Sequence, residues 1–119
     1  IGSDYFASSK LNREQTRAKN KETLMNIIND DKIASADKKS AIKQVAAMTK
    51  ISEKENAAEL MLQAKGFENA IVSISDGNAD VVISSEGLTN QQIAQIEDIV
   101  KRKTGIAADK IVITPVNMK

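Results

Sequence analysis

The chain contains no cysteine, no histidine and no tryptophan, and one proline in 119 residues. Each absence removes a class of chemistry. Without cysteine there are no disulfides, no thiolate metal sites and no thiol nucleophile. Without histidine no imidazole can act as a base, complete a Ser-His-Asp triad or ligate a metal. Aromatic residues make up only 3% of the chain, so the core must be aliphatic. No apolar run approaches the roughly 20 residues of a membrane-spanning helix, and no stretch reads as a signal peptide.

What is present is ordinary for a soluble globular chain. Hydrophobic residues are 41% and charged residues 28%, enough for one domain or one small domain with an appendage. The net charge of +1 is unevenly spread: residues 1–49 carry net +3 and residues 50–119 net −2. Neither half holds the dense basic patch of a nucleic-acid binder.

Residues 4–29 read as a long helix with apolar residues only at its ends, Tyr5, Phe6 and Leu11 at one and Leu24, Ile27 and Ile28 at the other. The middle, "NREQTRAKNKET", is almost wholly polar. A helix polar all round gains little from packing, so a solvated linker helix is expected, with residues 1–35 forming linker and turn. Asp30-Asp31-Lys32 reads as a turn; it lacks the alternating oxygen ligands of a calcium loop. Ser35 or Asp37 can cap a second helix over about 36–49. Ser52 and Glu55 then form a capping box for a third, ending at Gly66.

The period changes to two after residue 69. "AIVSISDGNADVVIS", residues 70–84, predicts two strands around Asp76-Gly77-Asn78, residue types that accept a tight loop. A helix follows over 90–104. Thr89 and Gln92 form its capping box, Leu88 and Ile93 a hydrophobic staple, and Gly105 its end. A third strand is expected over Lys110 to Thr114. The fold class is therefore α+β. Its core, 52–117, has the order helix-strand-strand-helix-strand, with helices on one face of a three-stranded sheet, preceded by N-terminal helices. The third strand is expected beside the first, leaving the second and third as edges.

No catalytic constellation emerges. Glu53, Glu55, Asp76, Glu86 and Asp109 fall at cap and turn positions and read as solvated charge. No cofactor or metal is expected, and the chain does not read as an enzyme. The element order invites a KH-like nucleic-acid-binding alternative. That module needs a G-x-x-G loop, and Gly66, Gly77, Gly87 and Gly105 include no two that are three apart. The remaining resource is edge-strand backbone, which can add a neighbouring strand. The candidate partner-binding residues are Asp80, Val82 and Ser84 on one expected edge and Lys110, Val112 and Thr114 on the other. A thin outer apolar stripe, Ile71, Val82 and Val112, crosses the same face.

Two stretches carry a resemblance that covers essentially the whole chain after Gly2. Residues 65–116, "KGFENAIVSISDGNADVVISSEGLTNQQIAQIEDIVKRKTGIAADKIVITPV", and residues 11–24, "LNREQTRAKNKETL", resemble the extracytoplasmic part of the stage III sporulation protein AH family. That family is similar to the ring-building domains of the YscJ/FliF family, which share the element order read above. The resemblance implies an N-terminal membrane anchor in the mother-cell membrane and a domain in the space between the two membranes of an engulfed forespore. It implies stage II sporulation protein Q, with its LytM-like domain, as partner. It also implies a role in a channel or zipper between mother cell and forespore, with a homo-oligomeric ring. No nucleic acid is implied, and the polar helix would be a spacer.

Overall fold

A computed structural model describes residues 4–117. The elements are α1 (Asp4–Ile28), α2 (Ser35–Ala64), β1 (Ala70–Ser75), β2 (Asn78–Ser84), α3 (Asn90–Thr104), a 3-10 turn (Ala108–Lys110) and β3 (Ile111–Val116). This is the expected α+β order, with one correction. The two helices anticipated over 36–65 are a single helix of 30 residues. Nothing between Lys50 and Ser52 breaks it, for neither glycine nor proline occurs there. Ser52 and Glu55 are helix interior, not a cap. At the true start, neither Ser35 nor Asp37 is the cap; Ala34 occupies that position without a side-chain hydrogen bond.

The end of α2 is built from backbone. Gly66 takes φ +99°. Its N–H donates to the Gln63 carbonyl at 3.1 Å, and the Phe67 N–H reaches back to Leu62 at 2.9 Å. This is a Schellman closure, which turns Phe67 back into the core beside Leu62. The hairpin then needs only two loop residues, Asp76 at φ 53° and Gly77 at φ 79°, because Asn78 already pairs with Ser75. Positive φ at both loop residues is what a type I′ turn demands.

The sheet order is β1-β2-β3, with β1 antiparallel to β2 and β3 parallel to β2. The expected placement of β3 beside β1 is therefore corrected: β2 is the centre and β1 and β3 are the edges. A strand–helix–strand crossover returns most simply next to the strand it left. Lys110 lies in the 3-10 turn, and β3 runs on to Val116. Val72, Val81, Ile83, Ile96, Ile99 and Val100 fill the aliphatic core under α2 and α3. At α3 the capping box forms as expected, with Gln92 N–H donating to Thr89 Oγ1 at 3.1 Å and Thr89 N–H to Gln92 Oε1 at 2.9 Å. Gly105 ends the helix at φ 77°.

Candidate functional site

Strand edges are the chemically active feature of a small sheet without catalytic groups, and the two edges here differ. In a strand, the N–H and C=O of one residue point to one side and those of the next residue to the other. On β1 the groups of Val72 and Ile74 face away from β2. Both N–H groups and one of the carbonyls are taken up by side chains. Val72 N–H donates to Glu59 Oε2 at 2.9 Å, and Ile74 N–H to Glu55 Oε2 at 2.8 Å. The Val72 carbonyl accepts from Arg13 Nη1 at 3.0 Å. Side chains from two helices thus stand where a neighbouring strand would stand.

Those side chains form a ladder. Arg13 and Arg17 are one helical turn apart on α1, as are Glu55 and Glu59 on α2, so antiparallel packing matches the rungs. Arg17 engages Glu55 with both guanidinium nitrogens, Nη2 to Oε2 at 2.9 Å and Nη1 to Oε1. Arg13 Nη1 meets Glu59 Oε2 at 3.0 Å and lies 3.6 Å from Glu55 Oε1. Glu55 is fully buried and Glu59 nearly so, at 0% and 5% exposure. The hydrogen bond to Glu55 raises the Arg17 pKa above its ordinary value; burial opposes this. The stabilisation linked to that shift is therefore complete below the guanidinium's unfolded pKa and lost only in strong alkali. Among the described residues Arg13 Nε is buried without a hydrogen-bond partner.

Two expectations are corrected here. The polar middle of α1 is not simply solvated: its Arg13 and Arg17 are drawn onto α2 and the β1 edge. Glu55 is not solvated charge but the most deeply buried acid of the cluster. Sequence offered a signal for both, the i, i+4 pairs R-x-x-x-R and E-x-x-x-E. What it lacked was any sign that these pairs face each other.

On β3 the opposite holds. The Val116 carbonyl accepts from Ser85 N–H at 2.9 Å, so Val116, Thr114 and Val112 direct their backbone to β2. Ile111, Ile113 and Pro115 direct theirs outward. The Ile111 N–H is used by the Ala108 carbonyl, and Pro115 has none. Ile113 supplies the outward N–H, beside the outward carbonyls of Ile111, Ile113 and Pro115. Among the described residues no side-chain hydrogen bond reaches Ile113 or Pro115. Next to this edge lies a cavity of about 310 Å³ lined by Leu88, Ile93, Glu97, Ile111, Ile113 and Pro115.

The six residues singled out from the sequence divide accordingly. Asp80, Val82 and Ser84 lie on the central strand, so their backbone is not an edge; Asp80 is exposed and the other two half-buried. Lys110 precedes β3 in the 3-10 turn, while Val112 and Thr114 are exposed on β3 itself, Val112 at 55%. The outer stripe is staggered: Ile71 pairs with Val82, but Val82 pairs with Thr114 and Val112 with Asp80. Ile71 is buried.

The chain matches the model of a family described as SpoIIIAH-like protein over residues 1–113. It is 23% identical over 100 residues to Stage III sporulation protein AH of Bacillus subtilis (strain 168), an alignment covering 84% of this chain and 46% of that protein. The chain thus spans about half the length of the curated relative it matches. Among solved structures it is similar to a chain from the structure of the SpoIIQ-SpoIIIAH pore forming complex. The TM-score is 0.84 at 21% identity, over 95% of this chain and 97% of that one. No helix among the described residues is long and apolar enough to cross a membrane.

Proposed function

The chain belongs to the SpoIIIAH-like protein family, and from that premise we propose that it is a non-enzymatic assembly module that binds a partner ectodomain by accepting a strand at the outer edge of β3. The partner in this reading is SpoIIQ, stage II sporulation protein Q, which is paired with SpoIIIAH in the similar complex. The meeting place is the space between mother-cell and forespore membranes, where the two ectodomains form a zipper or channel and the domain stacks into rings. One observation carries the choice of surface: β1 is closed by Glu55, Glu59 and Arg13, whereas β3 keeps the Ile113 N–H and three carbonyls outward. Main-chain hydrogen bonds would supply affinity, and the cavity beside Ile113 and Ile93 would take an apolar partner side chain. Val112 and Thr114 would contact the partner's outer face. The KH-like alternative is not favoured, since no G-x-x-G loop is present.

The test is sedimentation velocity of the domain mixed with the SpoIIQ ectodomain, with and without Ile113→Pro. That substitution removes the outward N–H without touching the backbone groups that pair with β2, and it also takes the Ile113 side chain out of the cavity wall, so both features of the proposed contact are lost together. The wild-type pair is expected to sediment as a complex, weakened by Ile113→Pro about tenfold, which is about 1.4 kcal/mol. Equal binding by both proteins excludes the β3 edge as the contact.

A further inference from the structure

Because α2 is one uninterrupted helix, residues that seemed scattered over two helices share a face. At 3.6 residues per turn, Lys39, Lys43, Lys50 and Lys54 fall within about 60° of arc, along about 22 Å of helix, and Lys65 follows as the residue that caps the helix end. The face lies opposite Glu55 and Glu59, which are turned inward and held by arginines. All five lysines are exposed, and none forms an ion pair among the described residues. Glu53 borders the row, and Asp37 lies on the other side of the helix. The positions between the lysines include Ala46, Ala47 and Ala57, and residues 36–57 contain no aromatic side chain.

At its C-terminal end the row runs into a cleft between α2 and α3. This cavity, about 220 Å³, is lined by Met61, Lys65, Ile99, Arg102 and Lys103, with no acidic residue in its wall. Arg102 is shared with Asp98, at 2.6 Å. Arg102 and Lys103 at the end of α3 thus meet Lys65 at the end of α2, although they are distant in sequence.

We propose that this track binds a linear polymer of phosphate groups, threaded along α2 and anchored in the α2–α3 cleft. The shape argues for a polymer: the positive charge lies in one narrow line with a pocket at its end. A membrane-surface helix presents a broad apolar face beside its basic rim; here alanines lie between the lysines, and the large apolar residues exposed along the flank of the row, Ile42 and Leu60, stand about 27 Å apart. A binder of single-stranded bases presents stacking aromatics, and this face has none. Recognition is by charge alone, so affinity falls steeply with salt.

The experiment is a titration of the full chain with inorganic polyphosphate at low salt, followed by fluorescence anisotropy of a labelled polymer. It is repeated at rising salt and set beside vesicles of anionic phospholipid. The variants are K50A/K54A on the track, K65A/K103A in the cleft, and K19A/K32A as exposed lysines off the track. Binding is expected for the polymer, with a loss of about tenfold in each of the first two variants and a shallower salt slope, by about 0.7 per lysine removed. The control is expected to bind like wild type. The proposal is overturned by no binding at low salt, by equal loss in the control, or by binding to vesicles without binding to the polymer.

Discussion

The two outer strands of the sheet solve the same problem in opposite ways. β1 has the outward N–H groups of Val72 and Ile74 taken by two buried carboxylates and its Val72 carbonyl by an arginine. β3 carries almost no such cover; its edge is shortened by Pro115 and by the 3-10 turn that uses the Ile111 N–H. The difference is instructive about edges in general. A closed edge is costly to build, because buried charges must be paired and hydrogen-bonded throughout. A shortened edge costs little and keeps a limited window for strand addition. The closed edge also does a second task, since the same glutamates hold α1 against the body.

The largest effect is expected from breaking the closed edge. Glu55→Ala leaves Arg17 without its main partner and the Ile74 N–H without an acceptor. A loss of about 3–5 kcal/mol is expected in urea unfolding, the usual range for removing one member of a buried pair. A loss below about 1 kcal/mol would mean that the ladder is not closed in solution. A smaller effect is expected from lengthening the open edge. Pro115→Ala returns a second outward N–H to β3. Self-association or partner affinity, followed by sedimentation, should rise by up to about tenfold, the order of one net hydrogen bond. No change would place the contact elsewhere on the sheet. The smallest effect sharpens the contrast between enclosed and solvated ion pairs. Arg102 and Asp98 meet at 2.6 Å with side chains 69% and 58% exposed. Arg102→Ala should cost no more than about 0.5 kcal/mol in the same unfolding measurement.

Much of this was written locally and could be read locally. The α3 helix announces itself through Leu88, Thr89, Gln92 and Gly105, the first three crowded at its start and the last just past its end. The hairpin does the same through Asp76-Gly77, although Asn78 belongs to the strand and not to the loop. The polar middle of α1 was legible only as a puzzle. Its resolution needs Glu55 and Glu59, whose distance in sequence hides their proximity in space. The site was the least legible part. Naming β2 an edge followed from pairing β3 with β1, and no local signal says which neighbour a strand chooses.

Composition, period and capping are short-range properties, and they determined the α+β class, the strand–strand–helix–strand order after residue 69 and the aliphatic core, because each acts through residues within a turn or two; the Ser52–Glu55 capping pattern, inside an unbroken α2, did not. Sheet order, the pairing of Arg13 and Arg17 with Glu59 and Glu55, and the meeting of Lys65 with Arg102 and Lys103 were decided by tertiary structure alone. The physical reason is one of balance. Two buried carboxylates are tolerable only where arginines and strand N–H groups converge on them. That convergence closes β1, leaves β2 for β3 to join, and turns the lysine face of α2 outward.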